Sequence, residues 1–196
     1  MEDLSRSYLI PVILAALLLL VLFAAALRRL AALAEKRRAQ ALDERLHGKA
    51  TASGYVFDVD GHSCRIWHNR IAVPLEIELG RTGKFAVIGP RSVWGIDQGL
   101  KYQQVCTVNK QSFVLAAESS EVYKALTAQP ELKTIITVLF DINNPSAMLL
   151  HSLPAGRGKS VLRFTALPER IYGQPDKLEN LVRKIVSVFE PLSIGK

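Results

Sequence analysis

The sequence predicts an α+β domain of mostly antiparallel sheet with two or three helices, carried on one N-terminal transmembrane helix that continues into a short basic juxtamembrane helix. Three observations lead there. Tyr8 to Leu27 is apolar and uncharged. From Tyr55 onward, Ala and Leu give way to β-branched and aromatic residues punctuated by Gly, Pro and Asn, the pattern of short strands and turns. Near the C-terminus Leu178, Leu181, Val182, Ile185, Val188 and Phe189 recur at the spacing of one helix face.

The apolar run comes first. As a helix rising ~1.5 Å per residue, it is long enough for a hydrocarbon core of ~30 Å. A cleaved signal peptide is the competing reading, but it needs a basic start and a shorter apolar core. Here the chain opens Met-Glu-Asp-Leu-Ser-Arg-Ser, and Arg28 and Arg29 follow the run directly. A retained anchor is therefore expected. Pro11 is expected in the first turn, where its missing N–H costs little.

Basic residues set the expected orientation. Arg28, Arg29, Lys36, Arg37, Arg38 and Arg45 follow the run, whereas only Arg6 precedes it. Lys and Arg near the ends of a span favour the cytoplasmic side. This places residues 1–7 outside, 8–27 across the plasma (inner) membrane in a single pass, and the rest in the cytoplasm. Residues 28–49 are expected to extend the helix up to Gly48, and their apolar spacing is too broken for a coiled coil. Arg28, Arg29, Lys36, Arg37 and Arg38 suit either topology or anionic head groups.

Residues 50–54 then read as a linker to a domain at 55–196. Tyr55–Val59 and Cys64–His68 flank Asp60-Gly61, a hairpin signal. Ile71–Leu79, Phe85–Ile88, Gln103–Val108 and Ser112–Ala116 read as further strands of a meander. Ser119 or Ser120 caps a helix, and a second short helix runs through Leu132, Ile135, Ile136 and Leu139. Asn143-Asn144-Pro145 is a turn. Ala147–His151 and Val161–Ala166 form a hairpin around Pro154–Gly158, and Pro175 with Asp176 opens the last helix.

Charge narrows the partner classes. Residues 1–49 carry eight Lys and Arg against five Asp and Glu, a net +3, and residues 50–196 carry 17 against 13, a net +4. The domain's basic residues are scattered without an aromatic platform, so nucleic acid is not expected. Two cysteines, Cys64 and Cys106, are expected as reduced thiols in a cytoplasmic domain.

Four constellations bear on chemistry. Gly156-Arg157-Gly158-Lys159-Ser160 ends like a phosphate-binding loop, but position 153 is Leu and a strand follows, so a hairpin loop is expected. His62, Cys64, His68 and Cys106 match no common zinc spacing. Asp58, Asp60 and His62 raise acid–base or metal-assisted chemistry, but turn formation explains them better. Glu118-Ser119-Ser120-Glu121 reads as a helix cap rather than a nucleophile with its base.

No catalytic, cofactor or metal residue is therefore assigned. Trp67, Trp94 and Tyr102 are the candidate partner surface, since such residues bury area at low entropy cost. The functional expectation is a membrane-anchored, non-enzymatic interaction or scaffold module. Its expected partners are the bilayer and a protein at the membrane. An enzyme using Asp58, Asp60 and His62, and a sensor of anionic lipid, are the alternatives.

Overall fold

The computed structural model describes residues 2–51, 54–67, 73–89, 99–108, 110–139, 149–167, 171 and 173–192. The chain divides into two compact units, residues 1–41 and 42–196.

The first unit is helix. Helix α1 (Glu2–Leu46) begins well before Tyr8, which places Pro11 inside it rather than in its first turn. The proline leaves the Ser7 carbonyl without its helical partner, a defect that membrane helices tolerate. Residues Pro11–Ala34 are long and apolar enough to cross a membrane, and none of that stretch is buried by protein. Among the described residues no other helix qualifies.

The last turns of α1 belong to the second unit. Leu42 and Leu46 are 2% and 7% exposed and join its core. Arg45 pairs with Asp176 at 2.8 Å and lies 3.6 Å from Glu179. The helix stops where His47 turns left-handed, with φ 47°. Gly48 follows in close contact: its N–H donates to the Tyr55 hydroxyl at 3.0 Å. A Cβ there would lie 2.4 Å from the Val56 carbonyl oxygen, so only glycine fits.

Nine strands form one sheet: β1 (Lys49–Thr51), β2 (Gly54–Val59), β3 (His62–Ile66), β4 (Leu75–Gly80), β5 (Phe85–Ile88), β6 (Tyr102–Val108), β7 (Gln111–Ala117), β8 (Leu149–Gly156) and β9 (Lys159–Phe164). Residues 50–54, read above as a linker, thus contain most of β1 and the start of β2. The order is β1-β2-β3-β4-β9-β8-β5-β7-β6, and every pairing is antiparallel. The expected meander is corrected here. β4 and β5 are consecutive in sequence, but the β8–β9 hairpin is inserted between them. The Asn143-Asn144-Pro145 turn lies outside the described residues.

Helix α2 (Ser120–Thr127) is capped by Ser119, whose side chain accepts from the Val122 N–H. Helices α3 (Leu132–Leu139) and α4 (Pro175–Phe189) follow, α4 running into a 3-10 turn at Glu190–Leu192. Strand alternation sends Phe57, Cys64, Ile77, Leu162 and Leu150 to one face of the sheet. The buried residues of α2, α3 and α4 join them in one cluster. The opposite face is split. Its β3–β8 half is charged, while Ala86 and Ile88 form a small apolar cluster with Leu100 and Val114 on the other half.

Candidate functional site

The hairpin around Asp60-Gly61 forms as expected, and it does not bring Asp58, Asp60 and His62 together. Asp58 accepts a hydrogen bond from the Gly61 N–H at 2.9 Å, which stabilises the turn. Asp60 sits in the turn with φ 52° and pairs with Arg183 of α4 at 2.9 Å. His62 faces the helices, with Nε2 3.1 Å from a Glu190 carboxylate oxygen and Nδ1 3.2 Å from the Glu78 carbonyl oxygen. Asp58 lies beside Ser63 on the opposite face. Each group already has a structural task.

The thiols lie on widely separated strands of the sheet. Cys64, on β3, is fully buried, and burial followed by the Asp58 charge pushes its thiol up to about 12. Cys106 is half-buried on β6, six positions away in the strand order. Burial raises its pKa as well. His68 lies outside the described residues, and among those described no three His, Cys, Asp or Glu side chains gather as a metal site. The thiolate is the reactive form. At pH 8 a thiol reagent should therefore modify Cys106 first, and Cys64 only after denaturant is added. Equal rates for both thiols in the folded chain would contradict this.

One row crosses the outer face of the sheet. In register from β3 to β8 it reads Arg65, Glu76, Arg163, His151. Arg163 Nε donates to Glu76 Oε1 at 2.7 Å, and Arg65 lies 4.0 Å from the other carboxylate oxygen. Both guanidinium groups lie over the Trp67 ring, at 5.1 and 5.9 Å from its centroid, as cation–π attraction favours. Trp67 is thus bound into an ion-pair row and is only partly exposed.

His151 ends that row with its Nε2 buried and unpartnered. Desolvation first, then the Arg163 charge, pulls its pKa below the ordinary 6.5, with Glu76 opposing. The unfolded chain therefore binds this proton more readily than the folded chain does. Its contribution to stability is complete above about pH 6.5 and is lost as pH falls through the interval below it. A His151→Gln variant should lose less stability than the parent between pH 7 and 5, read from urea midpoints. An identical pH slope in both would refute this.

The sheet edges differ. β1 is three residues long and carries Lys49. β6 runs seven residues, Tyr-Gln-Gln-Val-Cys-Thr-Val, with no charge and no proline. All seven pair with β7 in unbroken register, without a bulge. Among the described residues no strand pairs with its other side. Natural edges are commonly blunted by charge, proline, bulges or shortness, because free N–H and C=O groups invite another strand. β6 uses none of these. Val105 is 63% exposed on the outer face and Tyr102 43% exposed on the helix side. Tyr123 of α2 donates to Gln104 across that side.

The predicted aromatic surface is therefore dispersed. Trp67 follows β3 and Tyr102 lies on β6, six positions apart in the strand order, and Trp94 lies outside the described residues. The basic candidates Arg28, Arg29, Lys36 and Arg37 are exposed on α1, and the Arg38 side chain lies outside what is described. The β6 edge itself was not recognised from sequence, although its seven uncharged residues between Lys101 and Lys110 were a readable signal.

No family model and no curated protein matches the chain. Among solved structures, the chain is similar to the crystal structure of the mycobacterial trehalose monomycolate transport factor A, TtfA. The TM-score is 0.49 and the identity 8%, over 79% of this chain and 93% of that chain.

Proposed function

We propose that this chain is a membrane-anchored protein-interaction module, its N-terminus outside and its α+β domain on the cytoplasmic side, that docks an extended segment of another membrane protein onto β6. The carrying observation is the uncharged, bulge-free edge of β6. Strand addition supplies main-chain hydrogen bonds for affinity, and side chains at alternate positions for specificity. Lys101 and Lys110 flank the strand, so a partner strand with acidic flanks is complementary. Antiparallel pairing of two β6 strands about Val105 would instead bring the lysines of both copies together at each end.

The anchor serves this function through effective concentration. Confining the domain to a membrane surface multiplies its encounters with other membrane proteins without any new contact. Exposed Arg28, Arg29, Lys36 and Arg37 support the orientation by the positive-inside bias.

The test is a photo-crosslinking residue at Thr107, exposed on β6, in intact membranes. A discrete adduct heavier than the chain, at a mass other than that of two copies, is expected. Val105→Lys should abolish it, because a charge at an open edge opposes strand addition. An adduct that ignores Val105→Lys, or one with twice the chain mass, would overturn the reading.

A further inference from the structure

A cavity of about 290 Å³ opens between the β4–β5 connection and the β8–β9 hairpin. Its floor is polar, although it adjoins the hydrophobic core. Thr82, Ser152 and Ser160 are 8%, 7% and 3% exposed. Ser152 and Ser160 occupy strand positions on the face that otherwise points Leu150, Leu162 and Phe164 into the core.

The donors of these three residues can be counted. The Thr82 N–H donates to Ser160 Oγ at 3.0 Å, and the Ser160 hydroxyl returns a bond to the Thr82 carbonyl at 3.3 Å. Thr82 Oγ1 and Ser152 Oγ lie 2.6 Å apart, so one hydroxyl donates to the other. A hydroxyl carries a single hydrogen. Whichever of the two accepts therefore retains an O–H with no acceptor among the described residues, in a residue more than nine-tenths buried, at the cavity wall. A buried donor without an acceptor is costly.

The rim is cationic. Arg81 and Lys84 border the cavity, and neither has a carboxylate partner among the described residues. Lys159 also borders it but is paired with Glu78. Glu118 is the one acidic group in the lining among the described residues.

We propose that this cavity binds a phosphate group, carried either by a soluble phosphate compound or by a lipid head group. Three donor groups belong to its lining: the Arg81 guanidinium, the Lys84 ammonium and the spare hydroxyl of the Thr82–Ser152 pair. A phosphate offers an oxygen to each, whereas a carboxylate has only two. The arrangement owes nothing to the nucleotide-loop pattern at Gly156–Ser160, because Lys159 is engaged elsewhere and β9 continues as a strand.

The experiment is calorimetric titration of inorganic phosphate into the full chain held in phosphatidylcholine nanodiscs. Saturable one-to-one binding is expected. Arg81→Gln combined with Lys84→Gln should weaken it about tenfold or more, the scale of losing charge-assisted hydrogen bonds. Lys177→Gln with Lys184→Gln removes the same charge on α4, outside the cavity lining, and should leave it unchanged. All four positions are exposed, and an unchanged urea midpoint verifies folding. Absence of saturable binding, or equal weakening by both double variants, would overturn the proposal. Phosphatidic acid in the nanodiscs distinguishes the two sources. Loss of apparent phosphate affinity there identifies a head-group site, and unchanged affinity identifies a soluble ligand.

Discussion

Replacing Leu18 and Leu19 together by Arg should detach the chain from the membrane. Both lie near the middle of the uncharged stretch and are more than 60% exposed along the helix, so neither change disturbs protein packing. On insertion scales, exchanging a central leucine for arginine costs about 3–4 kcal/mol, and two such changes about 6–8 kcal/mol. The measurement is the share of chain that stays with membranes after an alkaline wash. The double variant should move to the supernatant, while Leu33→Arg, near the end of the stretch where a long side chain can reach the interface, should remain. Retention of the double variant would mean that something other than residues 11–27 holds the protein to the bilayer.

The second large effect lies in the domain core. Phe189, at the end of α4, is fully buried and stacks on Phe85 of β5, with centroids 5.2 Å apart and planes 9° from parallel. Phe189→Ala removes that ring pair and leaves a cavity that backbone on both sides resists filling. A loss of about 3–5 kcal/mol is expected. This is a large share of the 5–15 kcal/mol typical of a whole domain. Urea unfolding of the full chain in mild detergent, followed by near-ultraviolet dichroism, measures it. Ser187→Ala, on the solvent side of the same helix, provides the baseline. A loss below about 1 kcal/mol would show that α4 is not seated against β5.

What the sequence made legible was local. The Ser119 cap, the α3 helix, the last helix with its proline at the first position, β5 and the Asp60-Gly61 hairpin each rest on residues within a few positions of one another. Strand partners do not. β4 alternates Leu75, Ile77 and Leu79 with Glu76 and Glu78 whichever strand lies beside it, so a meander was the natural expectation. The overlooked clue was charge. Glu76 and Glu78 face Arg163 and Lys159 on β9, and opposite charges on adjacent strands favour that pairing.

The candidate sites divide the same way. Turn chemistry identified Asp60, but its partner Arg183 lies 123 residues away, and the link between His62 and Glu190 is also tertiary. Trp67 read as an interaction residue because Arg163, which shares its ring with neighbouring Arg65, comes from a strand far along the chain. The cavity over Thr82 was illegible, since its polar floor is assembled from β4–β5, β8 and β9.

The inserted hairpin also governs how fast this domain can form. The sheet is bridged only when β9 joins β4 and β8 joins β5, and Glu76 pairs with a residue 87 positions later. Contacts so distant in sequence require loop closure before they repay it, and domains dominated by them fold in milliseconds to seconds. On a ribosome adding about 5–20 residues per second, β4 and β5 wait several seconds for residues 149–164. Throughout that interval each is an open edge flanked by apolar side chains. Misassembly during synthesis, rather than unfolding afterwards, is therefore the principal hazard for this molecule, and substitutions in the β8–β9 hairpin should lower its yield more than its final stability implies.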